Sequence, residues 1–431
     1  MRGAEIPATL ALYRAATTVA QPFTGTLLGH RAKRGKEDLA RASERKGFAG
    51  VPRPPGHLVW LHGASVGETM SLLPIVSRLC DKSLNVLVTS VTMTSADLLA
   101  RRVPPGALHQ YAPLDTPLFM RRFLDHWRPD LALFAESELW PNAIIESARR
   151  DVPLVLVNAR MSERSLARWR RLPRTIAALT GCFDLCLAQS ELDAERYRFL
   201  GAHAVTTAGN LKYDVPAPPA DQVALASLRG MTAGRPMLLA ASTHAGEETI
   251  LAEAHRTLAA RFPGLLTIIA PRHPERGSEI AAAVQAAGLR PAMRSRRLGP
   301  DSACDIYVAD TIGELGLFYR LTPIVFMGKS LVPHGGQNPI EPAKLGAAIL
   351  HGPHVHNFAG VYEALDAAGG ARQISDGRAL AAAFAEMIVN PKGLRDMARA
   401  ASHAVERLTG AVDRTMRAIE PYLVHFALGA R

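Results

Sequence analysis

Cysteine is scarce: the 431 residues contain only Cys80, Cys182, Cys186 and Cys304, each within an apolar stretch. That excludes a disulfide scaffold and points to a reduced, cytosolic chain with buried thiols. Cys182 and Cys186 would make half a zinc site, but no second Cys or His pair with ligand spacing completes it. Long apolar runs are missing too. The nearest approach, ATLALYRAATTVAQPFTGTLL over 8–28, is interrupted by Arg14, Gln21 and Pro22, whereas a free-standing span needs about 20 continuous apolar residues. The segment also lacks the basic flank, apolar run and cleavage site of a secretory signal. Neither GxGxxG nor a Walker lysine loop occurs, which removes the common dinucleotide and P-loop sites. No zinc-finger spacing or RNP-like aromatic motif supports nucleic acid as a partner.

Positive charge, by contrast, is in excess. The formal net charge is +11, which suggests an acidic partner: nucleic acid, an anionic lipid surface or a phosphorylated substrate. The excess gathers at Arg31, Lys33, Arg34 and Lys36, at Arg160, Arg164, Arg168, Arg170 and Arg171, and at Arg294, Arg296 and Arg297. A merely solvated surface is the alternative reading of each cluster. An interfacial helix over 8–28, followed by the basic run from Arg31 to Lys46, would suit peripheral attachment to anionic lipid. A helix packed on the protein's own surface is the alternative there.

The length predicts two domains of about 200 residues each. Short Val-, Ile- and Leu-rich runs, separated by helical patterns, recur down the chain: 58–63, 85–92, 131–137, 153–159, 185–190 and 204–210, then 236–243, 265–271, 305–311, 323–328 and 347–353. Their lack of alternation fits strands covered on both faces, as in parallel sheets of βαβ units. The proline-rich VPAPPADQ, 215–222, divides the two sets as a stiff connector. The expected architecture is α/β of the GT-B type, two doubly wound Rossmann-like domains facing a cleft, with ligands at the carboxyl ends of the strands. The expected divisions are an N-terminal membrane-associating basic segment over 1–50, a first domain over 51–215 and a second over 216–431, with the terminal helical stretch from about 391 to 428 free to return to the first.

Several segments carry chemistry. In WLHGASVGETMSLLPIV, 60–76, a strand runs through a small-residue turn into an amphipathic helix. Glu68 falls near the helix start, where the dipole favours its ionised form and where it would serve as a general base or as an ordinary first-turn acid. In LFAESELWPNAI, 133–144, Glu136 and Glu138 alternate on one face of an extended chain. In VNARMSERSLARWRR, 157–171, Arg160, Arg164 and Arg168 would line one helix face and grip phosphate, or remain solvated. AGNLKYD, 208–214, sets Lys212 beside the connector. IIAPRHPERG, 268–277, ends a strand on Arg272 and His273 between two prolines.

The densest segment is GKSLVPHGGQNPIEPAKLGAAILHGPHVHNF, 328–358. Its glycines allow close backbone approach, Asn338 suits a cap and Pro339 the first helical position. Glu341 would accept ribose hydroxyls. IGELG, 312–316, adds a second turn of this kind, and together they look like a nucleotide-sugar site.

HGASVGE, ESELWPN, NARMSERS, GNLKYD, STHAGEE, PRHPER, IGELG, GGQNPIEP and GPHVHNF, in this order across 58–358, resemble the Kdo (3-deoxy-D-manno-oct-2-ulosonic acid) transferases of lipopolysaccharide biosynthesis. The resemblance implies an inverting glycosyltransferase that moves Kdo from CMP-Kdo onto a lipid A precursor, lipid IVA. Glu68 would be the general base, with Glu136 and Lys212 supporting the transition state. Pro271 and Arg272, the turn of Ile312, Gly313 and Glu314, and Asn338, Pro339, Ile340 and Glu341 would bind CMP. No cofactor and no metal would be needed. The implied location is the cytoplasmic face of the bacterial inner membrane, against an anionic surface. Another GT-B enzyme, a different transferase or an epimerase acting on a nucleotide sugar, is the alternative; it would lack the ESELWPN and NARMSERS segments.

Overall fold

Leu58, Val59, Trp60 and Leu61 are all buried, and successive side chains enter opposite cores. Leu58 and Trp60 pack with Phe123 and Phe134, and Val59 and Leu61 with Leu72 and Ile75. A strand buried on both faces cannot alternate apolar with polar residues, which is why it reads as a continuous apolar run. It forms the middle of a parallel sheet: β1 (Leu58–His62), β2 (Asn85–Ser90), β3 (Ala107–Tyr111), β4 (Leu131–Ala135), β5 (Leu154–Ala159), β6 (Leu185–Ala188) and β7 (Val205–Thr207), in the order β3-β2-β1-β4-β5-β6-β7. Val59 pairs with Val86 on one side and Leu131 on the other. The chain order therefore reverses at β1/β4, opening a crevice at the carboxyl ends of these two strands.

The computed structural model describes residues 6–214 and 216–428; residues 1–5 of the N-terminal segment, residue 215 at the expected boundary and residues 429–431 lie outside the described residues. Two compact units divide the chain. One runs through Asp214 and resumes at Thr409, and the other takes the residues between. The second unit repeats the plan with β8 (Met237–Thr243), β9 (Leu266–Pro271), β10 (Pro291–Met293), β11 (Ile306–Val308), β12 (Ile324–Met327), β13 (Ala348–His351) and β14 (Ala371–Gln373), in the order β10-β11-β9-β8-β12-β13-β14. Its reversal lies at β8/β12. This is the two-domain α/β plan of GT-B enzymes.

The terminal stretch is two helices. Pro391–Leu408 packs on β13 in the second unit. Ala411–Leu428 joins the first, where Val412, Met416 and Ile419 share a core with Val59. Asp214 secures that return, accepting the backbone N–H groups of Gly410 at 2.6 Å and Val412 at 2.5 Å.

Helices Ala8–Val19 and Thr24–Lys33 belong to the first unit. Tyr13 donates to Asp115 at 3.0 Å, Arg14 pairs with Glu146 at 2.5 Å, and Leu10 and Leu28 are buried. The opposite side leaves Leu12, Val19, Phe23 and Leu27 exposed. Among the described residues no helix is long and apolar enough to cross a membrane.

Candidate active site

At the end of β1 the chain turns through Gly63 and Ala64, and Ser65 caps helix Val66–Asp81. Glu68 is the third helical residue, so its carboxylate folds back over the turn. Oε2 accepts the N–H of Ala64 at 2.6 Å and of Ser65 at 3.3 Å, and Oε1 accepts the Ser65 hydroxyl at 2.8 Å. This reciprocal capping box satisfies helix-end donors, and it also fixes a half-exposed carboxylate at the crevice.

β4 delivers Glu136, whose φ of 52° lies in the left-handed region. A non-glycine residue held there signals a site where surrounding contacts override local preference. The turn also corrects the expectation that Glu136 and Glu138 share one face of an extended chain, because the left-handed residue sends them apart. Glu136 Oε1 lies 2.5 Å from Lys212 Nζ, an ion-pair distance whose angles fall outside hydrogen-bond geometry. Glu138 turns toward β1, 3.6 Å from His62 Nε2, and accepts the Trp140 indole N–H. Burial opposes its ionisation, but His62 and Trp140 outweigh that and hold its carboxyl below the ordinary range.

The turn carrying Lys212 is held by one residue from another segment and one from its own. Asn158, at the end of β5 and also left-handed at φ 53°, accepts the N–H of Leu211 at 3.0 Å. Asn210 accepts that of Lys212 at 3.0 Å. Tyr197, from helix Glu191–Phe199, donates to the carbonyl of Glu136 at 3.0 Å. ESELWPN, NARMSERS and GNLKYD thus meet at one point, and Lys212 Nζ lies 3.9 Å from where a Cβ on Gly67 would stand, next in the chain to Glu68. Sequence reasoning missed Asn158 and Tyr197 because both act through backbone groups.

The arginine row is not a single helix face. Ser162 caps a helix that begins only at Glu163, while Met161 N–H is held by Asp193 at 2.9 Å. The chain is therefore extended at Arg160, and only Arg164 and Arg168 share the helix. All three are exposed.

In the second unit, Ser242, Pro271, Arg272, Ile312, Gly313 and Phe318 line one pocket at the ends of β8, β9 and β11. Glu314 is turned aside by Arg294, which donates at 2.7 and 3.0 Å. Arg294, with help from the Thr311 hydroxyl, holds the Glu314 carboxyl low against partial burial. The turn therefore offers its backbone and Ile312 rather than that carboxylate. Gly316 is required because a Cβ would stand 2.2 Å from the carbonyl oxygen of Pro219.

Asn338 accepts the N–H of Ile340 at 3.1 Å. Pro339 precedes the helix rather than opening it, and the helix spans only Ile340–Lys344. Five residues give little macrodipole, so the start of this helix offers an anion little from that source. Burial raises the Glu341 carboxyl pKa, opposed by Arg272 and Lys344. Gly335 has φ 95°, and a Cβ there would meet His356 Nε2 at 2.5 Å, so this loop packs tightly on the one after β13.

Comparison with known proteins adds to this geometry. Residues 40–215 match the family model described as 3-deoxy-D-manno-octulosonic-acid transferase (kdotransferase). The chain is 31% identical to the 3-deoxy-D-manno-octulosonic acid transferase of Haemophilus influenzae, covering 95% of this chain and 98% of that protein. It is 35% identical to that of Bordetella pertussis, over 89% of this chain and 92% of the relative. Among solved structures, a glycosyltransferase from Rickettsia africae superposes with a TM-score of 0.57 at 12% identity, covering 86% of this chain and 99% of that one. Anabaena HepE, solved with UDP, gives 0.52 at 15% identity, covering 85% and 99%. These two structures show a shared fold.

Proposed function

The chain belongs to the 3-deoxy-D-manno-octulosonic acid transferase family, and we propose that it is an inverting glycosyltransferase moving Kdo from CMP-Kdo to the lipid A precursor lipid IVA. The observation that carries this reading is the meeting of Glu136, Asn158 and Lys212 at the ends of β4, β5 and β7, beside the turn that holds Glu68. The acceptor hydroxyl attacks the anomeric carbon opposite CMP, and Glu68 takes its proton through Oε1, which accepts the Ser65 hydroxyl at 2.8 Å. Lys212, paired with Glu136, offsets charge that develops as the C–O bond to phosphate breaks.

In the second unit, Pro271, Arg272, Ile312 and Gly313 contact the nucleotide. Asn338 to Glu341 close over it, with the Glu341 carboxyl on the ribose hydroxyls. Arg272 and backbone N–H groups meet the phosphate, so neither metal nor cofactor takes part. Arg160, Arg164 and Arg168 serve the acceptor's phosphates. Leu12, Val19, Phe23 and Leu27, with Arg31, Lys33, Arg34 and Lys36 alongside, lie on anionic lipid at the cytoplasmic face of the inner membrane.

Incubation with CMP-Kdo and tetra-acylated lipid A precursor should release CMP and raise the lipid's mass by whole Kdo units. EDTA should leave the rate unchanged. A donor consumed with no mass added to the lipid would sink the transferase reading, and inhibition by EDTA reversed by magnesium would sink its metal-free form.

A further inference from the structure

Three histidines that the proposed chemistry leaves unused converge at the reversal of the second sheet. His244 follows β8, His273 follows β9 and His334 lies in the loop after β12. The ring of His244 stands 5.8 Å from that of His273 and 6.0 Å from that of His334. Lys329, left-handed at φ 62°, joins them at the end of β12. Gln337 holds His244 in place, its Nε2 lying 3.2 Å from His244 Nε2.

The neighbouring carboxylates are already committed. Glu247, fully buried, accepts the N–H groups of His244, Lys329, Ser330 and Leu331 at 2.7–3.0 Å. Glu248 accepts from Thr243 and Arg276. Glu275, 3.4 Å from His273 Nδ1, is the exposed exception. Partial burial first, then the positive charges of Lys329, His273 and His334, lower the His244 imidazole pKa. The surroundings thus favour a negative partner among the rings.

We propose that His244, His273, His334 and Lys329 form a subsite for the carboxylate of the donor sugar, adjoining the nucleotide pocket. The inference rests on the CMP-Kdo reading above. An ulosonic acid carries its carboxylate on the anomeric carbon, one bond from the oxygen bound to phosphorus. A sugar attached to a nucleotide must therefore find a second anion site directly beside the first. The nucleotide pocket opens between β9 and β11 on one side of β8. His244 and His334 lie toward β12 on the other side, and His273, between the pocket-lining Arg272 and Pro274, leads from a phosphate at Arg272 to them. Imidazole N–H groups and the Lys329 side chain there select an acidic sugar over a neutral one, because a carboxylate acceptor makes their hydrogen bonds charge-assisted.

The test uses the full chain with His273→Asn and His334→Asn combined. Both rings are exposed, so melting should be unaltered, and His273→Asn alone serves as a milder variant. In one transfer assay, KM for CMP-Kdo should rise about tenfold, while the inhibition constant of CMP stays within about twofold. The single variant should fall between. If KM and the CMP constant rise together, the cations serve the phosphate and the proposal fails. If neither moves, it fails as well. Wild-type protein that neither transfers Kdo nor binds CMP would overturn the parent reading, and this one with it, before any variant is compared.

Discussion

Each unit places a glutamate in the first turn of the helix that follows its central strand, and the two have opposite fates. After β1, Glu68 is half-exposed, and among the described residues its Oε1 accepts only the Ser65 hydroxyl. After β8, Glu247 is wholly buried and accepts four backbone N–H groups, three of them from the loop after β12. The first is fixed yet accessible, as a proton acceptor must be, whereas the second is a structural bolt. The surroundings differ in the same sense. The first reversal gathers Glu68, Glu136, Glu138 and Lys212, suited to moving a proton, while the second gathers Arg272, Lys329 and three histidines, suited to holding anions. Backbone strain is shared: Glu136 and Asn158 in one unit, and Ser242 and Lys329 in the other, are left-handed at the ends of neighbouring strands.

The sharpest break of this comparison exchanges the two losses. Glu68→Ala should cost ~10²-fold or more in turnover but only ~1 kcal/mol of stability, the worth of a helix cap. Glu247→Ala strands buried N–H groups and should cost about 3–5 kcal/mol, seen in urea unfolding of the second unit. If the Glu68 variant keeps more than about a tenth of wild-type turnover, its role as base is wrong.

A smaller effect is expected from the arginines. Replacing Arg160, Arg164 and Arg168 by Gln should raise KM for the lipid severalfold and weaken vesicle binding, with CMP affinity unchanged. Exposed charges contribute up to ~1 kcal/mol each. Because Arg160 stands apart from the helix, beside the Glu136 carbonyl, its single replacement should account for more of the KM change than the other two together. Collapse of CMP binding would reassign the row to the donor.

The smallest effect concerns Glu138. Its folded pKa is depressed, so its contacts with His62 and Trp140 stabilise the first unit at pH above the ordinary carboxylate range. That contribution disappears as pH falls through the depressed value. Glu138→Gln should flatten the acid limb of the stability curve, and an unchanged limb would show that the contact with His62 carries no net energy.

Strands were legible from sequence wherever both faces are covered. The expected runs at 58–63, 131–137 and 236–243 contain β1, β4 and β8. The three that went unread, β3, β10 and β14, are all outermost strands. Their short, partly exposed sequences ALHQY, PAM and ARQ have no continuous apolar run to betray them, because one edge has no partner to bury it. The motif order carried the family and the candidate residues, since chemistry restricts which side chains stand at strand ends.

What the sequence alone determined is therefore the pattern of doubly covered strands, the two halves and the identity of the chemical groups. Tertiary structure alone decided which carboxylate is accessible and which is a bolt, that Glu136 and Glu138 diverge, and that Arg160 leaves the helix. It also brought together His244, His273 and His334 from three separate segments. Burial and left-handed backbone are set by contacts between distant segments, and local propensity carries no record of them.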